Sequence, residues 1–151
     1  ANVNVAGGTL SLLAPVADED LSDVILDGND QVSTGDIGQW DVVNARGNTL
    51  GWELTLDATN FEMVGNPAET ISNAGFDVTA VNYAQQTGTG ANVTPGTGNL
   101  GAGVTVLTSA TGAGNGRGVS RITPDVDLDV PAETLIGDYS STVTGTLVGL
   151  P

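Results

Sequence analysis

Apolar and polar residues alternate over short runs along most of this chain. Trp52, Leu54 and Leu56 interleave with Glu53, Thr55 and Asp57, the period-two pattern of a strand with one buried and one solvated face. Trp40, Val42 and Val43 open a strand ahead of it. The cluster at 44–48, with Gly47 free to take positive φ, reads as the turn of a hairpin joining the two. That stretch holds both tryptophans of a chain with 4% aromatic residues. Large aromatics dominate core energetics, so it predicts the keel of the fold.

The same pattern predicts strands over residues 1–6, 9–13, 21–26, 75–83, 104–108, 119–122, 126–130 and 139–148. Pro15 ends the second of these, and Asp27-Gly28-Asn29-Asp30 is a turn signal. Pro67 predicts irregular chain over 63–73, and Pro124 divides residues 119–122 from 126–130. Residues 85–103 and 109–118 are rich in Gly, Thr, Asn and Ala and predict long loops. No helical periodicity stands out. About nine short strands and no substantial helix predict one all-β domain over residues 1–151, an antiparallel β-sandwich of immunoglobulin-like, Greek-key type.

Charge narrows the partners. Eighteen acidic residues face three arginines (Arg46, Arg117 and Arg121), for a formal net charge of -15. Such a surface repels nucleic acid and anionic headgroups. No apolar run approaches the roughly 20 residues of a membrane-spanning helix, so no membrane insertion is expected. The absence of cysteine and histidine removes disulfides, thiolate chemistry and the commonest general base. The chain begins at Ala1, read as the small residue left by signal-peptide cleavage, which predicts a secreted protein of the cell surface.

Candidate chemistry is sparse, and neither a catalytic residue nor a cofactor is expected. Asp125, Asp127 and Asp129 share one strand face and are weak calcium candidates; a solvated acidic face is the plainer reading. Glu53 and Asp57 share a face at the generic spacing of about 7 Å, a remote echo of a glycosidase carboxylate pair. Gly112-Ala113-Gly114-Asn115-Gly116 resembles a phosphate loop but lacks its Lys, and reads as a plain loop. Asn92 heads the sequon Asn92-Val93-Thr94, with Pro95 directly after it. Arg117 and Arg121 are read either as surface ion pairs or as links to an acidic patch on a second subunit.

Arg46-Gly47, Gly51-Trp52-Glu53-Leu54 and Phe61 resemble the first signature of the WxL domain family, surface domains of Gram-positive bacteria. Pro124, Val130-Pro131-Ala132, Gly137, Tyr139, Thr142 to Leu147 and Pro151 are similar to the frame of its second signature. Gly145 stands where that signature has its second Trp. The resemblance implies a surface β-sandwich with Trp40, Arg46, Gly47, Gly51, Trp52, Leu54, Phe61 and Tyr139 as motif or core residues.

On the last strand, Val143, Gly145 and Leu147 share a face with Tyr139. If that face is buried, glycine in place of tryptophan predicts a void. Either neighbours repack into it or a second copy fills it. Residues 1–8, with Val3 and Val5 alternating with asparagines ahead of the Gly7-Gly8 joint, predict an arm able to complete a neighbour's sheet. The main expectation is therefore a secreted structural subunit whose partner is itself, assembling into a filament or layer through Val3, Val5, Gly7, Gly8, Gly145 and Leu147. The alternative is a module binding peptidoglycan or another wall glycan, through exposed faces near Trp52 and the long loops.

Overall fold

A computed structural model describes residues 1–112 and 116–151. Its described residues form thirteen strands and two single-turn 3-10 segments, at Asn73–Gly75 and Leu100–Ala102. The first seven strands are β1 (Leu10–Leu13), β2 (Gln31–Asp36), β3 (Trp40–Asn44), β4 (Trp52–Ala58), β5 (Phe61–Met63), β6 (Asn66–Ile71) and β7 (Phe76–Thr89). The other six are β8 (Val93–Pro95), β9 (Gly98–Asn99), β10 (Val104–Ser109), β11 (Arg117–Val130), β12 (Tyr139–Ser140) and β13 (Val143–Gly149). All pairings are antiparallel, as the sandwich reading requires.

The first sheet runs β1-β3-β11-β7-β9, with β2 also on β11; the second runs β13-β4-β10-β8; β12-β5-β6 form a small third. Between the two large sheets lies the core: Trp40, Val42, Phe76, Val78, Ile122 and Val126 from one side, Trp52, Leu54, Leu56, Val106 and Leu107 from the other. Alternation decides who enters it. Along β4 the pattern places Trp52, Leu54 and Leu56 inside, with Glu53, Thr55 and Asp57 directed outward. In β10 a bulge at Val106 turns both Val106 and Leu107 inward.

Several expectations are corrected. β3 and β4 are not a hairpin: β3 pairs with β1 and β11, β4 with β10 and β13, so the turn between them carries the chain from one sheet to the other. Residues 1–6 belong to no strand, and neither do 21–26, where Val24 and Leu26 are half-buried but form no ladder. The strand in that region is β2, a polar segment that bonds Ser22 through Thr34. Residues 63–73 are not irregular, because Pro67 sits in β6 at the open edge of the small sheet, where no ladder donor is missed.

Residues 85–103 are not one loop either. β7 extends to Thr89, and β8 and β9 follow. Nor does Pro124 split β11. β3 pairs with β11 as far as Ile122 and β2 from Asp125 onward, leaving Pro124 between two partners. Its carbonyl accepts from Ile37 N on that side, so the absent N–H faces the gap where no strand asks for it. The last strand divides into β12 and β13. Ala113, Gly114 and Asn115 of the glycine-rich segment lie outside the described residues.

Candidate functional site

Arg46, Gly47, Gly51 and Trp52 gather at one end of the sandwich, between the end of β3 and the start of β4. The turn after β3 takes Gly47 to φ +70°, a backbone conformation that costs glycine little. Arg46 folds back over this turn. Its Nε donates to Asn44 Oδ1 at 3.0 Å, and its Nη2 donates to the carbonyls of Leu50 and Gly51 at 3.0 and 2.9 Å. Asn44 Nδ2 and Trp52 Nε1 both donate to the Gly116 carbonyl, at 3.1 and 3.0 Å. One acceptor thus joins the end of β3, in the first sheet, to the start of β4, in the second. Buried indole and amide groups need such partners.

Gly51 is required by close approach. A side chain there would meet the Ser109 carbonyl at 2.3 Å. Its N–H donates to Thr111 Oγ1 at 3.1 Å, and its carbonyl accepts from Leu150 N at 2.9 Å. Thr111 Oγ1 in turn donates to the Pro151 carbonyl at 2.6 Å. The first signature therefore pins both the 109–112 segment and the 150–151 segment. These residues are fold-holding groups: Trp52 is 0% exposed, so its ring offers no platform to a sugar. The expectation of a glycan held by exposed faces near Trp52 therefore falls on the outward residues of its strand, Glu53, Thr55 and Asp57, and not on the indole. Trp40 and Leu54 are buried too, and Phe61 packs edge-on against Phe76 at 4.9 Å. Tyr139 is half-buried, its hydroxyl donating to the Leu135 carbonyl at 3.0 Å.

Gly145 carries no void. A Cβ built on it would lie 2.5 Å from Trp40 Cζ3 and 2.9 Å from Leu12 Cδ2. The indole that fills the space comes from the opposite sheet, and no groove opens beneath β13 at this point. Leu147 is half-buried two residues on. Val3 and Val5 stand 87% and 85% exposed, while Gly7 and Gly8 lie against the backbone of Ala45 and Arg46.

The outer faces differ in chemistry. On the first sheet, Asp125 opposes Asp36 and Asp127 opposes Asp77 across the ladder. Asp125 accepts from Asn82 Nδ2 at 3.1 Å, and Asp129 is exposed beside Gly75. Among the described residues no set of three or more acidic side chains is placed to hold a metal ion. Arg121 pairs within its own chain: Nε and Nη2 meet the two Asp41 carboxylate oxygens at 2.8 Å each. Those hydrogen bonds hold its pKa above the ordinary guanidinium value.

The outer face of the second sheet is a hydroxyl surface. Thr146, Thr55 and Thr105 lie side by side across β13, β4 and β10, with Thr55 and Thr105 hydroxyls 3.4 Å apart. Thr144 opposes Asp57, and a further row runs Val148, Glu53, Thr108, Thr94 across all four strands. Directly opposed residues in antiparallel strands have Cβ atoms about 4.5–5.5 Å apart, so the groups form a regular array. The signal for it was the outward alternation of threonines in β13 and β10. Asn92 lies apart from it, exposed in the turn before β8 with φ +62°.

A family described as WxL domain surface cell wall-binding matches residues 24–151. The chain therefore belongs to the WxL domain family, a cell-surface family, as its signature residues suggested. A comparison with curated proteins returned no match.

Proposed function

We propose that this WxL domain protein holds the cell wall by laying a wall glycan strand across the outer face of its second sheet. The family's description as a surface cell-wall-binding domain supports the first half of this reading. The observation that carries the second half is the hydroxyl array. Thr55, Thr105 and Thr146 form one unbroken lateral row. Threonine hydroxyls both donate and accept, as sugar hydroxyls do. Glu53 and Asp57 flank the row as stronger acceptors. The net charge of -15 opposes anionic wall polymers and leaves an uncharged or amino-sugar glycan, such as peptidoglycan, as the matching ligand.

Co-sedimentation with purified cell walls tests this. Replacing Thr55, Thr105 and Thr146 together by alanine removes three hydroxyls, each worth about 0.5–1.5 kcal/mol net. Wall affinity should fall roughly tenfold to a thousandfold, while the folded fraction in a thermal melt stays unchanged at assay temperature. Undiminished binding by the triple variant would exclude this face.

A second reading is favoured by one observation, the exposure of Val3 and Val5 at 87% and 85%. Here copies of the chain associate into a filament or layer by strand complementation, with residues 1–6 as donor. Apolar residues at that exposure, alternating on an unpaired segment, suit β-augmentation. The two readings are compatible, since a wall-bound layer uses both.

A further inference from the structure

Sheet edges expose unpaired backbone groups, and proteins blunt them with charge, proline, bulges or brevity. The edges here are unequally protected. β8 has three residues ending in Pro95, β9 has two residues, and β6 carries Pro67 and Glu69. β13 differs. It has seven residues, Val-Thr-Gly-Thr-Leu-Val-Gly, with no charge and no proline. Its register against β4 runs unbroken from Val143↔Ala58 to Gly149↔Trp52, so no bulge turns it aside.

Two hydrogen bonds fix which backbone groups of β13 face outward. Thr59 N donates to the Thr142 carbonyl, and Leu150 N donates to the Gly51 carbonyl. The even-numbered residues therefore face β4. By the alternation of an antiparallel ladder, the N–H and C=O of Val143, Gly145, Leu147 and Gly149 point to the open edge. Beside that edge, Leu10, Leu12, Val143 and Leu147 pack on the core but stay half-exposed, leaving an apolar strip between β13 and β1.

The segment ahead of β1 has the matching properties. Residues 1–6 contain no charged side chain, no glycine and no proline, and alternate Asn2, Asn4 with Val3, Val5. Its residues are exposed in its own domain. Ala45 N donates to the Thr9 carbonyl at 2.9 Å, one pair beyond Leu10↔Asn44, and Gly8 N donates to the Ala45 carbonyl at 2.7 Å with the register shifted by one residue. The tie to the end of β3 thus reaches Gly8, and residues 1–6 ahead of it belong to no strand. In a chain of net charge -15, an uncharged strand and an uncharged edge are surfaces on which two copies meet without like-charge repulsion.

Resting on the self-association reading, we infer that residues 1–6 of one copy add as an extra strand to the open edge of β13 in a second copy. Val3 and Val5 then cover the strip formed by Leu10, Leu12 and Leu147, and the arm's backbone satisfies the outward groups of β13. Donor and acceptor are different surfaces of the same chain. The contact is therefore head-to-tail and propagates unless a ring closes.

The chain has no cysteine, so single introduced thiols report the contact without interference. Asn4→Cys protein is mixed with Thr144→Cys, Thr146→Cys or Val148→Cys protein, or with Thr94→Cys protein, whose thiol lies on the opposite edge of the same sheet. Disulfide heterodimers are quantified under mild oxidation, and light scattering gives the mass of the wild-type chain. The inference expects at least one β13 position to cross-link roughly tenfold or more above Thr94→Cys, as a raised effective concentration requires. Adding Val3→Asp and Val5→Asp to the arm should abolish that excess. Assemblies whose cross-links form at Thr94→Cys instead overturn β13 as the acceptor but leave self-association standing. A wild-type monomer with no excess cross-link at any position overturns both.

Discussion

Trp52→Ala is expected to lose about 3–5 kcal/mol of folding free energy, the range for removing a large aromatic from a packed core. The indole is 0% exposed, and its Nε1–H holds the Gly116 carbonyl at 3.0 Å. Truncation opens a cavity between the sheets and removes one of the two donors on that carbonyl. For a chain of this size, each kcal/mol moves Tm by about 2–4 °C, so the melt should fall by roughly 6–20 °C. Trp52→Phe separates the two contributions. It keeps most of the ring volume, and should cost nearer the ~0.5–1.5 kcal/mol of one lost hydrogen bond, because Asn44 Nδ2 still donates to that carbonyl. Equal melts for wild type and Trp52→Ala would remove the indole from the core.

The second large effect runs against the family pattern. Gly145→Trp restores the tryptophan of the second signature, yet is expected to destabilise by about 3 kcal/mol, the upper end for overpacking. The space is occupied: Trp40 Cζ3 lies 2.5 Å and Leu12 Cδ2 2.9 Å from where the new Cβ would stand. Trp40→Ala alone should also be costly, because it empties the same space. Combined, the two substitutions exchange one indole for another across the sheets and should recover much of the loss. Urea titrations of the four proteins give the coupling. Additive losses would mean that Trp40 and position 145 do not share a volume.

That exchange also shows how far the sequence speaks. Period-two alternation correctly assigned faces: Trp40, Trp52, Leu54 and Leu56 inside, and Glu53, Thr55 and Asp57 outside. It reports the face of a residue and not its neighbour. For that reason the strong turn signal between β3 and β4 predicts a hairpin, although the two strands lie in opposite sheets. Proline in a local pattern predicts a strand break. Pro124 is tolerated because its missing N–H faces the gap between β2 and β3, a fact of topology and not of local sequence. The tail of β7 stayed hidden because Ala84, Gln86, Thr87 and Gly88 are all exposed and carry no apolar pattern.

The candidate site was legible only in part. Arg46, Gly47, Gly51 and Trp52 stood out as a motif, yet their geometry makes them a clasp joining two sheets and two distant segments. The hydroxyl face did not stand out. Its threonines lie on three strands that meet only when β13 and β10 flank β4. Threonine also favours strands whether or not it binds anything, so its composition alone carries no functional signal.

Tryptophan fluorescence during wall binding tests the central claim most directly, that the signature clasps the fold while the glycan lies elsewhere. The chain has two tryptophans, and Trp40 and Trp52 are 3% and 0% exposed. Emission should be blue-shifted and poorly quenched by acrylamide in free protein, and both properties should stay unchanged as purified walls are titrated to saturation. A shift in emission or a change in quenching that saturates with wall binding would place an indole against the ligand and contradict the account.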